Sequence, residues 1–213
     1  MTAVAIPIEF EQVKGYRDSL SARRDRARFV DLPWTRQLAI DGTGQPGGPA
    51  FQNAFRALYP VAYTLHFALK RRGVDAPIGA LEGLFWVPGA EDDGGVALLG
   101  DRDPGGPLSW SLRLPLAGMA TDTEIDAAIA DVARKGAPPA LDDLRVVEVI
   151  EGLAAQILHV GPYDAEGPTI RRLHAAIAGA GLRQRGIHHE IYISDPTRTA
   201  PERLKTVIRQ PIA

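Results

Sequence analysis

Ile208-Arg209-Gln210-Pro211-Ile212-Ala213 repeats Leu112-Arg113-Leu114-Pro115-Leu116-Ala117 nearly position by position, and this echo decides the reading of the fold. Two further registers agree with it. Gly73, at the end of a helical stretch, lies nine residues before Glu82, and Gly181 lies nine before Glu190. The interval from Gly42 to Gly73 exceeds that from Gly161 to Gly181 by eleven residues, about three helical turns at roughly 3.6 residues each. Each half therefore reads as strand, helix and two strands, with a glutamate early in the first strand of the pair. The expectation is a duplicated α+β module over about 30–117 and 118–213, preceded by an N-terminal arm over 1–29.

Working outward, Trp34 to Ile40 reads as a strand ending at Asp41-Gly42-Thr43-Gly44. Phe51, Phe55, Leu58, Ala62, Leu65 and Leu69 then recur at helical spacing. Pro60 either kinks this helix or starts a second piece. Lys70-Arg71-Arg72-Gly73 supplies a basic last turn and a glycine stop. Pro77 to Val87 and Leu108 to Leu114 read as strands around a Gly-, Asp- and Pro-rich loop over 88–107. Thr121-Asp122-Thr123-Glu124 has the form of a helix N-cap, followed by the stripe Ile125, Ala128, Ile129 and Val132. Leu144 to Ile150 and Ala154 to Val160 are strands about a Glu151-Gly152 turn. A helix over Asp164 to Ala180 follows, then a strand at 187 and a closing strand over Leu204 to Ile212.

The strand at Ile187-His188-His189-Glu190-Ile191-Tyr192-Ile193-Ser194 carries the strongest chemical signal. Its alternation places Ile187, Ile191 and Ile193 on one face with His189, and His188, Glu190, Tyr192 and Ser194 on the other. A carboxylate flanked by an imidazole and a phenol suits a cleft that binds a polarisable ligand or moves a proton. Two modules related by a pseudo-twofold would create a groove at their junction, with Glu82 and Glu190 on opposite sides. Trp86 and Trp110 would wall it from the first module, and His159, Tyr163 and Tyr192 from the second. Ring faces stack on flat molecules and attract positive charge, so the expected ligand is planar or cationic. The competing reading makes Trp86, Trp110 and Tyr192 ordinary core residues.

Composition narrows the alternatives. The chain has 213 residues, 45% of them apolar and 23% charged, with a formal net charge of −2. That balance speaks against a nucleic-acid-binding surface spread over the whole chain. The basic stretch 10–28 reads as a solvated helix or packed arm, because no helix-turn-helix pattern accompanies it. There is no cysteine, hence no thiolate nucleophile or thiolate metal ligand. The first residues lack the pattern of a signal peptide, and no run approaches the roughly 20 apolar residues of a membrane span. A cytoplasmic protein is expected, with neither cofactor nor metal.

Familiar motifs do not fit. Gly42-Thr43-Gly44-Gln45-Pro46-Gly47 matches G-x-G-x-x-G, but no acidic residue occurs between Ala50 and Val74 to meet a ribose. His188-His189-Glu190 is not a helical H-E-x-x-H, so zinc is not expected. His66 and His174 read as packed side chains on apolar helical faces.

Four stretches together resemble the GyrI-like small-molecule-binding superfamily. They are Tyr59-Pro60-Val61-Ala62-Tyr63-Thr64-Leu65, Leu81-Glu82-Gly83-Leu84-Phe85-Trp86, His159-Val160-Gly161-Pro162-Tyr163-Asp164, and His188 through Pro196. The nearest match is the stand-alone branch that includes cyclopropanoid cyclopropyl hydrolases, over about residues 30–213. The resemblance implies tandem βαββ (SHS2-type) modules, an antiparallel sheet with helices on one face, and a central cleft for bulky aromatic molecules. For a hydrolase it implies water opening a strained cyclopropane. Glu190 would then orient or deprotonate the water, and Tyr192 would hold the ligand carbonyl. Trp86 and Trp110 would sandwich the ligand, Tyr63 and Tyr163 would line the site, and Glu82 and His159 would support it. Many superfamily members only bind, so a non-catalytic effector-sensing module and a gyrase-inhibitor-like interaction protein are the alternatives.

Overall fold

The first strand pair of the chain forms where a short arm meets the body. Glu11–Gln12 (β1) runs parallel to Arg28–Leu32 (β2), and the helix Tyr16–Ser19 (α1) lies between them in sequence. Arg28 holds this corner by binding Glu11 at 2.8 Å and Asp18 at 3.0 Å. The remaining strands are Thr35–Thr43 (β3), Leu81–Trp86 (β4), Ser109–Pro115 (β5), Arg145–Val149 (β6), Gly152–Val160 (β7), His188–Tyr192 (β8) and Lys205–Pro211 (β9). The remaining α-helices are Pro49–Arg71 (α2), Asp122–Arg134 (α3) and Gly167–Gly179 (α4). This computed structural model describes residues 9–89, 108–116 and 120–213. Most of the loop expected over 88–107 lies outside them. The class is α+β, as the sequence predicts.

The chain divides into two compact units that interleave in sequence. One comprises Met1–Trp34, Phe85–Gly106 and Ile150–Ala213; the other comprises Thr35–Leu84 and Pro107–Val149.

In the first unit the strand order is β1-β2-β7-β9-β8. Apart from the parallel β1–β2 pair, the registered pairs here are antiparallel. Helix α4 packs on β7, and its Ile170, Leu173 and Ile177 close on Ala155, Ile157, Ile208 and Ile212. The basic stretch at 10–28 is packed on the unit: Glu11 and Gln12 pair with β2, Leu158 donates to the Arg23 carbonyl, and Gln156 and Arg209 donate to that of Ser19. Behind it lies a buried charged network. Glu151 accepts from Arg209 at 2.8 Å and pairs with His189 Nδ1 at 2.8 Å. Arg209 also donates to Gln156 and to the Ser19 carbonyl.

In the second unit the order is β4-β5-β3-β6. Helix α2 packs on β3, β5 and α3. Its buried face is Ala54, Ala57, Leu58, Val61, Ala62, Leu65 and Leu69. Phe55, expected on that stripe, is 45% exposed instead. Small alanines let the helix approach the sheet closely, while the large rings Phe55, Tyr59, Tyr63 and Phe67 stack at i,i+4 spacing on another face. Pro60 neither starts a second helix nor ends this one; it sits on the exposed side of α2. Helix α3 begins with the expected capping box between Thr121 and Glu124. Strands β6 and β7 are consecutive, yet they do not pair with each other. β6 pairs with β3, while β7 pairs with β2 and β9.

The internal repeat is visible in the hydrogen bonds. In β3–β5 the register sets Ile40 against Leu112, and in β7–β9 it sets Ile157 against Ile208. Gly44 donates to the Leu108 carbonyl, and Gly161 to that of Leu204. Gly73 (φ 79°) and Gly181 (φ 73°) end their helices in left-handed backbone, which favours glycine. Val74 then bonds back to Leu69 as Leu182 does to Ile177. Helix α2 has 23 residues and α4 has 13, which makes the first copy longer, and the hydrogen bonds match Gly161 with Gly44 rather than with Gly42. No helix among the described residues is long and apolar enough to cross a membrane.

Candidate functional site

Strand alternation puts His188, Glu190 and Tyr192 in one row on β8, with Ile191 fully buried behind them. His188 Nε2 bonds Glu190 Oε1 at 3.1 Å. The Tyr192 hydroxyl donates to Glu190 Oε2 at 2.9 Å. The carboxylate is thus held from both sides by its own strand.

A second segment completes the cluster. After β7 the chain turns at Gly161 into a 3-10 turn over Tyr163–Ala165 and enters α4 at Glu166. His159 pins this turn: Nε2 donates to the Pro162 carbonyl at 3.2 Å, and Nδ1 accepts from the Thr169 hydroxyl at 3.1 Å. The turn sets the Tyr163 ring edge-on to Tyr192, with centroids 5.4 Å apart. It also places the buried Glu166 carboxyl beside that of Glu190.

The electrostatics follow from this crowding. Burial and the neighbouring Glu190 push the Glu166 carboxyl up to about 10, with Thr206 pulling the other way. Burial also works against the Glu190 charge, but donors from His188, Tyr192 and Glu166 outweigh it, and its pKa falls below the usual carboxylate range. Burial and Glu190 hold the Tyr192 phenol well above its ordinary value. His174 on α4 is lowered to about 4 by burial and by His188. The cluster therefore offers one carboxylate, one carboxylic acid, two phenols and an imidazole. It can accept a proton at Glu190 and donate one from Glu166 or Tyr192.

The other residues singled out from the sequence have distinct surroundings. Trp86 closes β4 and is half-buried. In the second unit, Trp110 is 1% exposed, packed edge-on against Phe51 at 5.2 Å, and lies across the strand from Gly42. A Cβ at Gly42 would stand 2.3 Å from the indole, so only glycine leaves room for the ring. Glu82 is buried and accepts from Gln37 at 2.8 Å. Tyr63 is 51% exposed, in the ring row of α2. Glu82 and Glu190 hold equivalent places in the two repeats.

Glu166 escapes a reading of the sequence, and so does the bonding of His188. A glutamate just before Gly167-Pro168 looks like an ordinary acid at a helix start. Only its missing cap bond and its burial mark it as unusual. His188 lies in the polar row legible from alternation.

Residues 117–213 match the family model described as the GyrI-like small molecule binding domain, so the resemblance read in the sequence holds over that part of the chain. Solved structures extend the likeness to nearly the whole length. A conserved protein from Listeria innocua is 27% identical, with a TM-score of 0.81, covering 95% of this chain and 100% of that one. A crystal structure described as a hydrolase from Listeria innocua is 27% identical at a TM-score of 0.76, over 95% of this chain and 100% of that one. The EcmrR C-terminal domain shares the fold at 12% identity and a TM-score of 0.51, over 88% of this chain and 97% of that one. No curated protein matches the chain.

Proposed function

We propose that the chain binds a bulky, flat aromatic molecule at the Glu190 cluster and hydrolyses it, with cyclopropanoid alkylators as the substrate class. The observation that carries this reading is the Glu190 carboxylate, kept ionised inside the protein by donors from Tyr192 and His188. An ionised, sequestered carboxylate can act as a base for water. Support also comes from the Listeria innocua hydrolase, whose match covers 95% of this chain.

In the reaction, Glu190 takes a proton from water as the water oxygen bonds to the cyclopropane methylene carbon. The broken carbon–carbon bond delivers its electron pair into the conjugated dienone, whose carbonyl oxygen becomes a phenolate. Once Glu190 has taken the proton, its hold on the Tyr192 hydroxyl weakens, and that hydroxyl turns to donate to the oxygen as charge develops on it. The proton on Glu190 returns to the product, so substrate plus water gives the ring-opened phenol. Tyr163 and Trp86 offer ring surface to the ligand. His159 positions the turn that carries Tyr163 and Glu166.

Incubation with a cyclopropanoid alkylator, followed by mass spectrometry, tests the reading. Ring-opened product should form above the buffer rate and vanish with Glu190→Gln, which keeps shape but loses charge. Product formed equally by E190Q would remove Glu190 as the base. Saturable binding without product would leave the non-catalytic binding module, which the description of the family model favours.

A further inference from the structure

Glu166 stands at the N-cap of α4 in helical backbone and makes no side-chain cap bond. Its carboxyl meets that of Glu190 instead. Two neighbouring carboxylates sealed from water repel, so one of them holds a proton. Glu190 already receives donors from His188 and Tyr192, which stabilise negative charge there. Glu166 is 4% exposed, and its Oε1 is buried with no hydrogen-bond partner, a place that would penalise a charge.

We infer that Glu166 is the proton-bearing member of a one-proton pair and the positioning residue for Glu190. It fixes the orientation of that carboxylate and limits the cluster to a single negative charge. The inference rests on the site lying at Glu190 and not on the reaction carried out there. Burial and the nearby carboxylate act together to keep the proton on Glu166, whose pKa stands at about 10. The titratable groups around the pair are His188 and Tyr192 on β8, Tyr163 in the turn before α4, and His174 on α4 beyond His188. Thr206 on β9 is the neutral polar neighbour. With this arrangement Glu190 can take up a proton from water without the cluster ever holding two negative charges.

Nuclear magnetic resonance of protein labelled at the glutamate carboxyls tests this without any ligand. One carboxyl should remain in its acid form through neutral pH, and its signal should be absent from Glu166→Gln. In Glu190→Gln the same signal should titrate at lower pH, because one of the two causes that raise it has gone. The inference is overturned if every glutamate ionises in the ordinary range, if the acid signal persists in E166Q, or if E190Q leaves its midpoint unmoved. Since no substrate enters, failure of the hydrolase reading and failure of this one are distinguishable. Where turnover is found, E166Q should retain the Glu190 base but lose the alkaline limb of its pH profile.

Discussion

Tyr192 donates its hydroxyl to Glu190 two positions earlier on the same strand, at 2.9 Å. Residues at that separation share a face of β8, so the contact needs no help from distant chain. Tyr192→Phe removes one donor and leaves His188 and Glu166 in place. A hydrogen bond to a charged group contributes roughly 1.5–3 kcal/mol. The Glu190 carboxylate should therefore become a stronger base and titrate at higher pH. The glutamate carboxyl titration that reports Glu166 would show it, and an unmoved Glu190 midpoint would count against the donor role of Tyr192.

Stability should carry the signature of Glu166. Its pKa is raised from 4.5 in the unfolded chain to about 10 in the fold. As pH climbs past 4.5 the unfolded state ionises first, so the stabilisation present at lower pH is lost progressively up to about 10. Glu166→Gln has no such titration, so its urea midpoint should fall less across that window than the wild-type midpoint does. Parallel curves for the two proteins would refute the shift.

Glu151 has the opposite sign. Burial disfavours its charge, but His189 and Arg209 hold the pKa below the usual carboxylate range. Its contribution is thus present above the unfolded value of 4.5 and is lost as pH falls beneath it. Glu151→Gln leaves Arg209 buried with its charge unmatched, and breaking a buried pair from one side costs about 3–5 kcal/mol. Chemical denaturation at neutral pH should show a loss of that order, shrinking in acid. A change below about 1 kcal/mol would mean that water replaces the carboxylate.

The β8 row and the duplicated module were legible because strand alternation and repeat spacing are properties of the chain alone. Glu190, Tyr192 and His188 needed only a period of two. Glu166 was not legible, since its partner lies 24 positions away and its meaning comes from burial. The face of α2 was misread at Phe55 for a related reason. Bulk in the sequence points to aromatics, whereas close packing against the sheet selects Ala54, Ala57 and Ala62. Strands β6 and β7 look like a hairpin in sequence, yet each finds its partner elsewhere.

Gly42 supplies the sharpest test of packing in the second unit. It faces Trp110 across the β3–β5 ladder, and an added Cβ would lie 2.3 Å from the indole. The ring cannot retreat, because Phe51 packs on it edge-on at 5.2 Å and only 1% of Trp110 is exposed. Overpacking of a filled core typically costs about 1–3 kcal/mol. Gly42→Ala should lose that much stability and shift the tryptophan fluorescence as the indole moves. Trp110→Phe frees the space over Gly42, so in that background the same alanine should cost less than half as much. An equal cost in both backgrounds would show that β3 needs glycine at 42 for its backbone and not for the indole.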